Sequence, residues 1–196
     1  MGKTKIKHIN IKAKNINFIN CTFIAFVAVF LSRYAIIPFD HYNISVANYL
    51  WLPTGASILA ILLFGYRAFF GVLAGYLVAA LIIKGGFDMT YINSYLGKVI
   101  DSLAPIIAIW AMRSVNFGNF FTDGKTNYIH ILALIVLTVL IATAGKLIVY
   151  PMNGKIIDDW AWFMQSYSIS GILGGIVFIT AILAIFKPIL IKNNII

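Results

Sequence analysis

The segment Trp51–Gly75, WLPTGASILAILLFGYRAFFGVLAG, constrains the chain more than any other stretch. It carries a single charge, Arg67, and no polar stripe of the kind a soluble helical hairpin needs on its outer face. Pro53 and Gly55 interrupt its first half near the start. Gly65-Tyr66-Arg67 makes a turn, and small residues repeat every fourth position beyond it. Two apolar helices folded back on each other within lipid satisfy this pattern.

The remainder of the chain agrees. Of 196 residues, 61% are hydrophobic and 11% charged. Mean hydropathy is +0.93. Soluble domains run nearer one quarter charged. Six apolar stretches follow one another, at about 16–38, 46–64, 67–83, 95–112, 128–149 and 165–186. Each is close to the roughly 20 residues that cross a hydrocarbon core as a helix. Runs this continuous mean helices, because only helices or closed barrels satisfy the backbone in lipid. The expected fold is an all-α polytopic membrane bundle of about six helices. It forms one transmembrane domain over 16–188, between a basic tail at 1–15 and a short tail at 189–196, with no soluble domain attached. The first span is too long for a signal peptide and no small-residue cleavage site follows it.

The net charge of +9 comes from 15 Lys and Arg against six Asp. Such a balance can mean nucleic acid, but here the cations sit at the ends of apolar stretches, so nucleic acid is not an expected partner. Lys3, Lys5, Lys7, Lys12, Lys14, Arg67, Arg113, Lys125, Lys187 and Lys192 fall on one side. Arg33, Lys84, Lys98, Lys146 and Lys155 fall on the other, with Asp40, Asp88, Asp101, Asp158 and Asp159. Ten cations against five place both termini in the cytoplasm and the protein in the cell membrane. Tyr42, Tyr49, Trp51, Tyr91, Tyr150, Trp160 and Trp162 then mark the outer interface.

Three features carry functional information. First, Pro53 and Gly55 leave a broken helix start whose free amides can face an anion, or simply begin a helix anchored by Trp51. Second, Gly71, Gly75 and Ala79, and again Gly171 and Gly175, put small residues on one face and let another helix approach. Third, Arg33, Lys98, Asp101 and Lys146 lie inside apolar spans at similar depth, with Lys98 and Asp101 three apart on one face. Two uses fit these charges. Asp101 can pair with Arg33, Lys98 or Lys146 while the remaining cations snorkel to water. Alternatively, three cations against one acid line an outward pocket for a small anionic or zwitterionic ligand. The candidate ligand-binding residues are therefore Arg33, Trp51, Pro53, Gly55, Lys98, Asp101 and Lys146.

Catalysis has little support. His8, His41 and His130 are too far apart in the topology to share a metal, and Cys21 is the sole cysteine. No glycine-rich phosphate loop and no paired catalytic carboxylates appear. The expected protein is not an enzyme and needs no cofactor or metal.

The succession W-L-P-T-G, an apolar run, F-G-Y-R-A-F-F-G and a further glycine-containing span resembles the MASE-type membrane-associated sensor domain of bacteria. Tyr95–Arg113, YLGKVIDSLAPIIAIWAMR, is similar to that family's next span, and Ser168–Phe186, SISGILGGIVFITAILAIF, to its closing span. The resemblance, which begins near residue 45, implies a stand-alone, shortened sensor domain. Such a protein would bind a signal from the outer or membrane side and relay it to a separate signalling partner. Two other functions fit the same spans: a substrate-binding subunit like the S component of energy-coupling-factor transporters, and a structural membrane subunit without a ligand.

Overall fold

The structure, a computed structural model, describes residues 17–39, 43–44, 47–48, 50–122, 125–154 and 156–192. The basic tail 1–15, the end beyond 192, Asp40, His41, Tyr42, Tyr49 and Lys155 lie outside the described residues. Six helices make up the fold among the described residues: α1 Phe18–Ala35, α2 Leu52–Phe64, α3 Phe69–Ile83, α4 Ile92–Ser114, α5 Tyr128–Met152 and α6 Trp160–Lys192. Two antiparallel pairings two residues long, Asn43–Ile44 with Ala47–Asn48 and Phe121–Thr122 with Lys125–Thr126, decorate the connections. Among the described residues, five stretches are long and apolar enough to cross a membrane: Phe18–Ala35, Leu52–Ile83, Met89–Ser114, Tyr128–Met152 and Trp160–Phe186.

The second of these is bent back on itself. Gly65 has φ 67°, a conformation that glycine adopts without strain, and a 3-10 turn over Gly65–Ala68 reverses the chain. In one straight helix Ser57 and Tyr76 would be about 28 Å apart. Instead the Tyr76 hydroxyl donates to Ser57 Oγ at 3.4 Å. The hairpin expected from Trp51–Gly75 is thus present, but its legs are splayed and touch little.

α1 fills the gap, packing chiefly on α3 and next on α2. It runs parallel to α3: a Cβ on Gly71 would strike the Thr22 carbonyl, and one on Gly75 would lie 2.9 Å from the Phe26 carbonyl oxygen. The small face in α3 therefore serves backbone-to-backbone approach, with Ala79 also buried. Thr22 donates to the Arg67 carbonyl at 3.2 Å and ties α1 to the turn. One end of the bundle holds this turn, the start of α1 and the finish of α6. Lys84 marks the opposite end.

α4, α5 and α6 complete the bundle as antiparallel neighbours. Gly145 of α5 packs on Ile100 of α4. Gly171 and Gly175 of α6 pack on Val139 and Ile135 of α5, where added Cβ atoms would lie 2.8 and 2.7 Å away. Gly174, between them, faces α2: a Cβ there would overlap the backbone of Trp51. The Trp51 amide donates to the Ser170 carbonyl at 3.1 Å. Gly55 packs farther along α6, near Gly175 and Phe178, so α2 and α6 run in the same direction.

This contact corrects the second span. The apolar stretch at 46–64 predicts a helix of full membrane length, but α2 begins at Leu52 and has 13 residues, about 20 Å. Hydrophobicity persists before Trp51, yet Trp51 is docked on the backbone of α6 and Pro53 sits in the first turn. Ser170 lies about 15 Å along α6 from Trp160, so α2 starts deep inside the bundle. α1 and α3 are shorter than the expected 16–38 and 67–83. α6 extends over 33 residues where 165–186 is expected, and α4 and α5 gain residues at their ends.

Gly174→Ala tests the α2–α6 contact. Overpacking at a closed site costs about 1–3 kcal/mol. Detergent-solubilised protein carrying this change is expected to melt well below the parent, and an unchanged Tm would show that the two backbones are not held together there.

Candidate functional site

A cavity of about 310 Å³ lies between α2, α3, α4, α5 and α6 and reaches up to Lys84 and Ser94. The first two turns of α2 border it through Trp51, Thr54 and Ser57, and Tyr76 of α3 with residues of α4, α5 and α6 close the other sides.

Asp101 organises the middle of the cavity. Its Oδ1 is 2.6 Å from Lys146 Nζ of α5, and both side chains are 7% exposed. Its Oδ2 is 3.9 Å from Lys98 Nζ, one turn earlier on α4. That distance is an ion pair rather than a hydrogen bond, and Oδ2 is buried without a hydrogen-bond partner. Pro105, four residues on, has no amide to give the Asp101 backbone carbonyl, so the polar character of this turn is heightened.

Aromatic rings hold the cations. Lys98 Nζ lies 4.4 Å from the Trp51 ring centroid and 5.7 Å from that of Tyr76. Lys146 Nζ lies 4.9 Å from the centroid of Tyr167. These faces attract cations, and the attraction grows when water is excluded. The Lys98 amine thus reaches inward to rings and carboxylate rather than outward to water. Lys84 stands at the rim, 3.6 Å over the Tyr91 ring.

Of the residues named from the sequence, Trp51, Lys98, Asp101 and Lys146 are brought together in the lining. Arg33, Pro53 and Gly55 are not. The Arg33 guanidinium carbon lies 5.2 Å from the Trp51 ring centroid, at the end of α1, which borders no part of the cavity. Pro53 and Gly55 are buried in packing, Gly55 against α6. Their neighbours Thr54 and Ser57 face the cavity instead.

The sequence reading missed the hydroxyl groups that line the site: Ser57, Tyr76, Thr138, Thr143, Tyr150 and Tyr167. Thr138 Oγ1 is buried with no hydrogen-bond partner. Spacing held a usable signal, since Thr138 and Lys146 lie two helical turns apart on α5 and so share a face. The arrangement can bind an acid group electrostatically, stack on rings and hydrogen-bond a neutral body.

A scan against protein-family models finds no match, and searches of the curated proteins and of the solved structures find none.

Removing one partner of a buried ion pair leaves the other charge uncompensated, a loss of about 3–5 kcal/mol. Asp101→Ala is therefore expected to lower stability strongly, and Asp101→Ala with Lys146→Met much less than the sum of the two single changes. Additive losses in a double-mutant cycle of chemical denaturation would show that the pair is not coupled.

Proposed function

We propose that this chain is a multi-pass membrane protein that binds a small anionic or zwitterionic molecule in the cavity around Asp101. The observation that carries the reading is the excess of positive charge in a cavity of about 310 Å³, where the Lys98 and Lys146 ammonium groups stand against the single carboxylate that lines it among the described residues, that of Asp101. Ionisable groups at such depth are expensive and are characteristically tied to ligand or ion pathways.

The orientation follows from the cation asymmetry. The Arg67 end faces the cytoplasm, both termini are cytoplasmic, and the cavity is reached from outside the cell membrane. The resemblance to MASE-type domains makes sensing the favoured role, with occupancy of the cavity changing helix packing that a separate signalling protein reads. The same cavity serves a substrate-binding transporter subunit, in which case the partner is an ATP-hydrolysing module rather than a kinase or cyclic-dinucleotide enzyme. Coding neighbours of one or the other kind separate the two roles.

Native mass spectrometry of the full chain released from membranes is expected to find a small co-purified molecule, lost in Lys98→Met. A consistently empty protein whose melting responds to no small acid would overturn the binding reading. A reporter fused after Ile196 is expected to be cytoplasmic, and an extracytoplasmic reporter would invert the orientation.

A further inference from the structure

The cavity has two chemically distinct levels. Its upper level is charged: Lys98 and Lys146 surround Asp101, the one carboxylate that lines the cavity among the described residues. Two ammonium groups against one carboxylate leave one unit of positive charge in an apolar interior. An unbalanced buried charge is costly, and one added negative charge removes that cost. A second added charge would restore an imbalance of opposite sign. Lys84 does not alter this balance much, because it stands at the rim, where charges are better screened.

The lower level carries hydroxyls and no formal charge. Thr138 lies about 12 Å below Lys146 along α5. Its hydroxyl is buried and unpartnered. Tyr76 and Ser57 are joined only by a long 3.4 Å hydrogen bond, and Ser57 donates to the Thr54 carbonyl at 2.9 Å. The Tyr76 hydroxyl is also hydrogen-bonded by the Trp51 side chain, so it is the donor and acceptor capacities of Thr138 that remain for something else. The start of α2 borders the cavity through Trp51 and Thr54, and its dipole also favours negative charge.

We infer, on the reading that this cavity holds a ligand, that the occupant is a monocarboxylic acid with a neutral, hydroxyl-bearing body. Its acid group sits between Lys98 and Lys146, and its body reaches down to Thr138, Ser57 and Tyr76. Thr138 and Lys146 are about 12 Å apart along α5, so an acid as small as acetate does not reach both. The hydroxyl floor disfavours fatty acids, because burial would leave its polar groups unpaired.

Four six-carbon probes test this with the full chain in lipid nanodiscs: gluconate, its uncharged twin sorbitol, its apolar twin hexanoate, and the dicarboxylate glucarate. Gluconate at millimolar concentration is expected to raise the melting temperature, and the other three are expected to leave it near the unliganded value. Thr138→Val is expected to weaken gluconate binding about five- to tenfold, the worth of one hydrogen bond. Lys98→Met is expected to abolish it. Ser57→Ala gives the same readout if Thr138→Val does not fold. Hexanoate acting as well as gluconate, or Thr138→Val without effect, overturns the hydroxyl floor while leaving a ligand site in place. Sorbitol or glucarate acting as well overturns the single-charge balance. No response to any of the four overturns the inference as a whole, and the co-purification measurement then decides separately whether the cavity binds a ligand at all.

Discussion

The backbone of Trp51 rests on the backbone of α6, and the site depends on that contact. Gly174 removes the side chain that would keep the two chains apart, and the Ser170 carbonyl accepts the Trp51 amide. In lipid, where no hydrophobic force drives helices together, close approach through small residues is a main source of cohesion. Here it also sets a height. With α2 pinned to the middle of α6, its first two turns border the cavity through Trp51, Thr54 and Ser57. A bulkier residue at 174 would push α2 outward and open the floor on which Trp51, Thr54 and Ser57 stand.

The charges depend in turn on that space. Asp101 and Lys146 would be an unfavourable pair in a solid apolar bundle, because desolvation of two ions commonly exceeds their attraction. Ring faces from Trp51, Tyr76 and Tyr167 offset part of that loss for the lysines. The residues that make the site polar and those that make it aromatic therefore support one another. α1 has a different part. It wedges the α2–α3 hairpin apart, so that Tyr76 meets Ser57 through its hydroxyl instead of packing helix to helix.

What the sequence disclosed follows from which signals are local. An ionisable residue within an apolar run is conspicuous, so Lys98, Asp101 and Lys146 could be named without a structure. Hydroxyl side chains are not conspicuous. Ser57 and Ser102 bond to carbonyls of their own helices, and Thr138 shows no sign in the sequence that its hydroxyl is left over. Arg33 was grouped with the other charges by depth alone. Depth does not specify which side of Trp51 a residue occupies, and α1 stands outside the cavity wall. Gly174 went unnoticed because four-residue spacing selects Gly171 and Gly175, which face α5. A neighbour one residue from such a pair faces a different helix. The short α2 was hidden for a related reason: hydropathy reports what a segment can be buried in, and Ala47 and Asn48, within the apolar stretch, pair as a strand rather than as helix.

Below the cavity, α2 is a solid aliphatic rod. Ala56, Ser57, Ile58, Leu59, Ala60, Ile61, Leu62 and Leu63 are all buried. Apart from the Ser57 hydroxyl at its top, this run offers no polar side chain over about 12 Å. It acts as an electrical insulator. An ion or dipole leaving the Asp101 level for the Arg67 end would have to shed its partners and cross that layer at a large Born penalty. In this arrangement α2 closes its side of the cavity toward the Arg67 end.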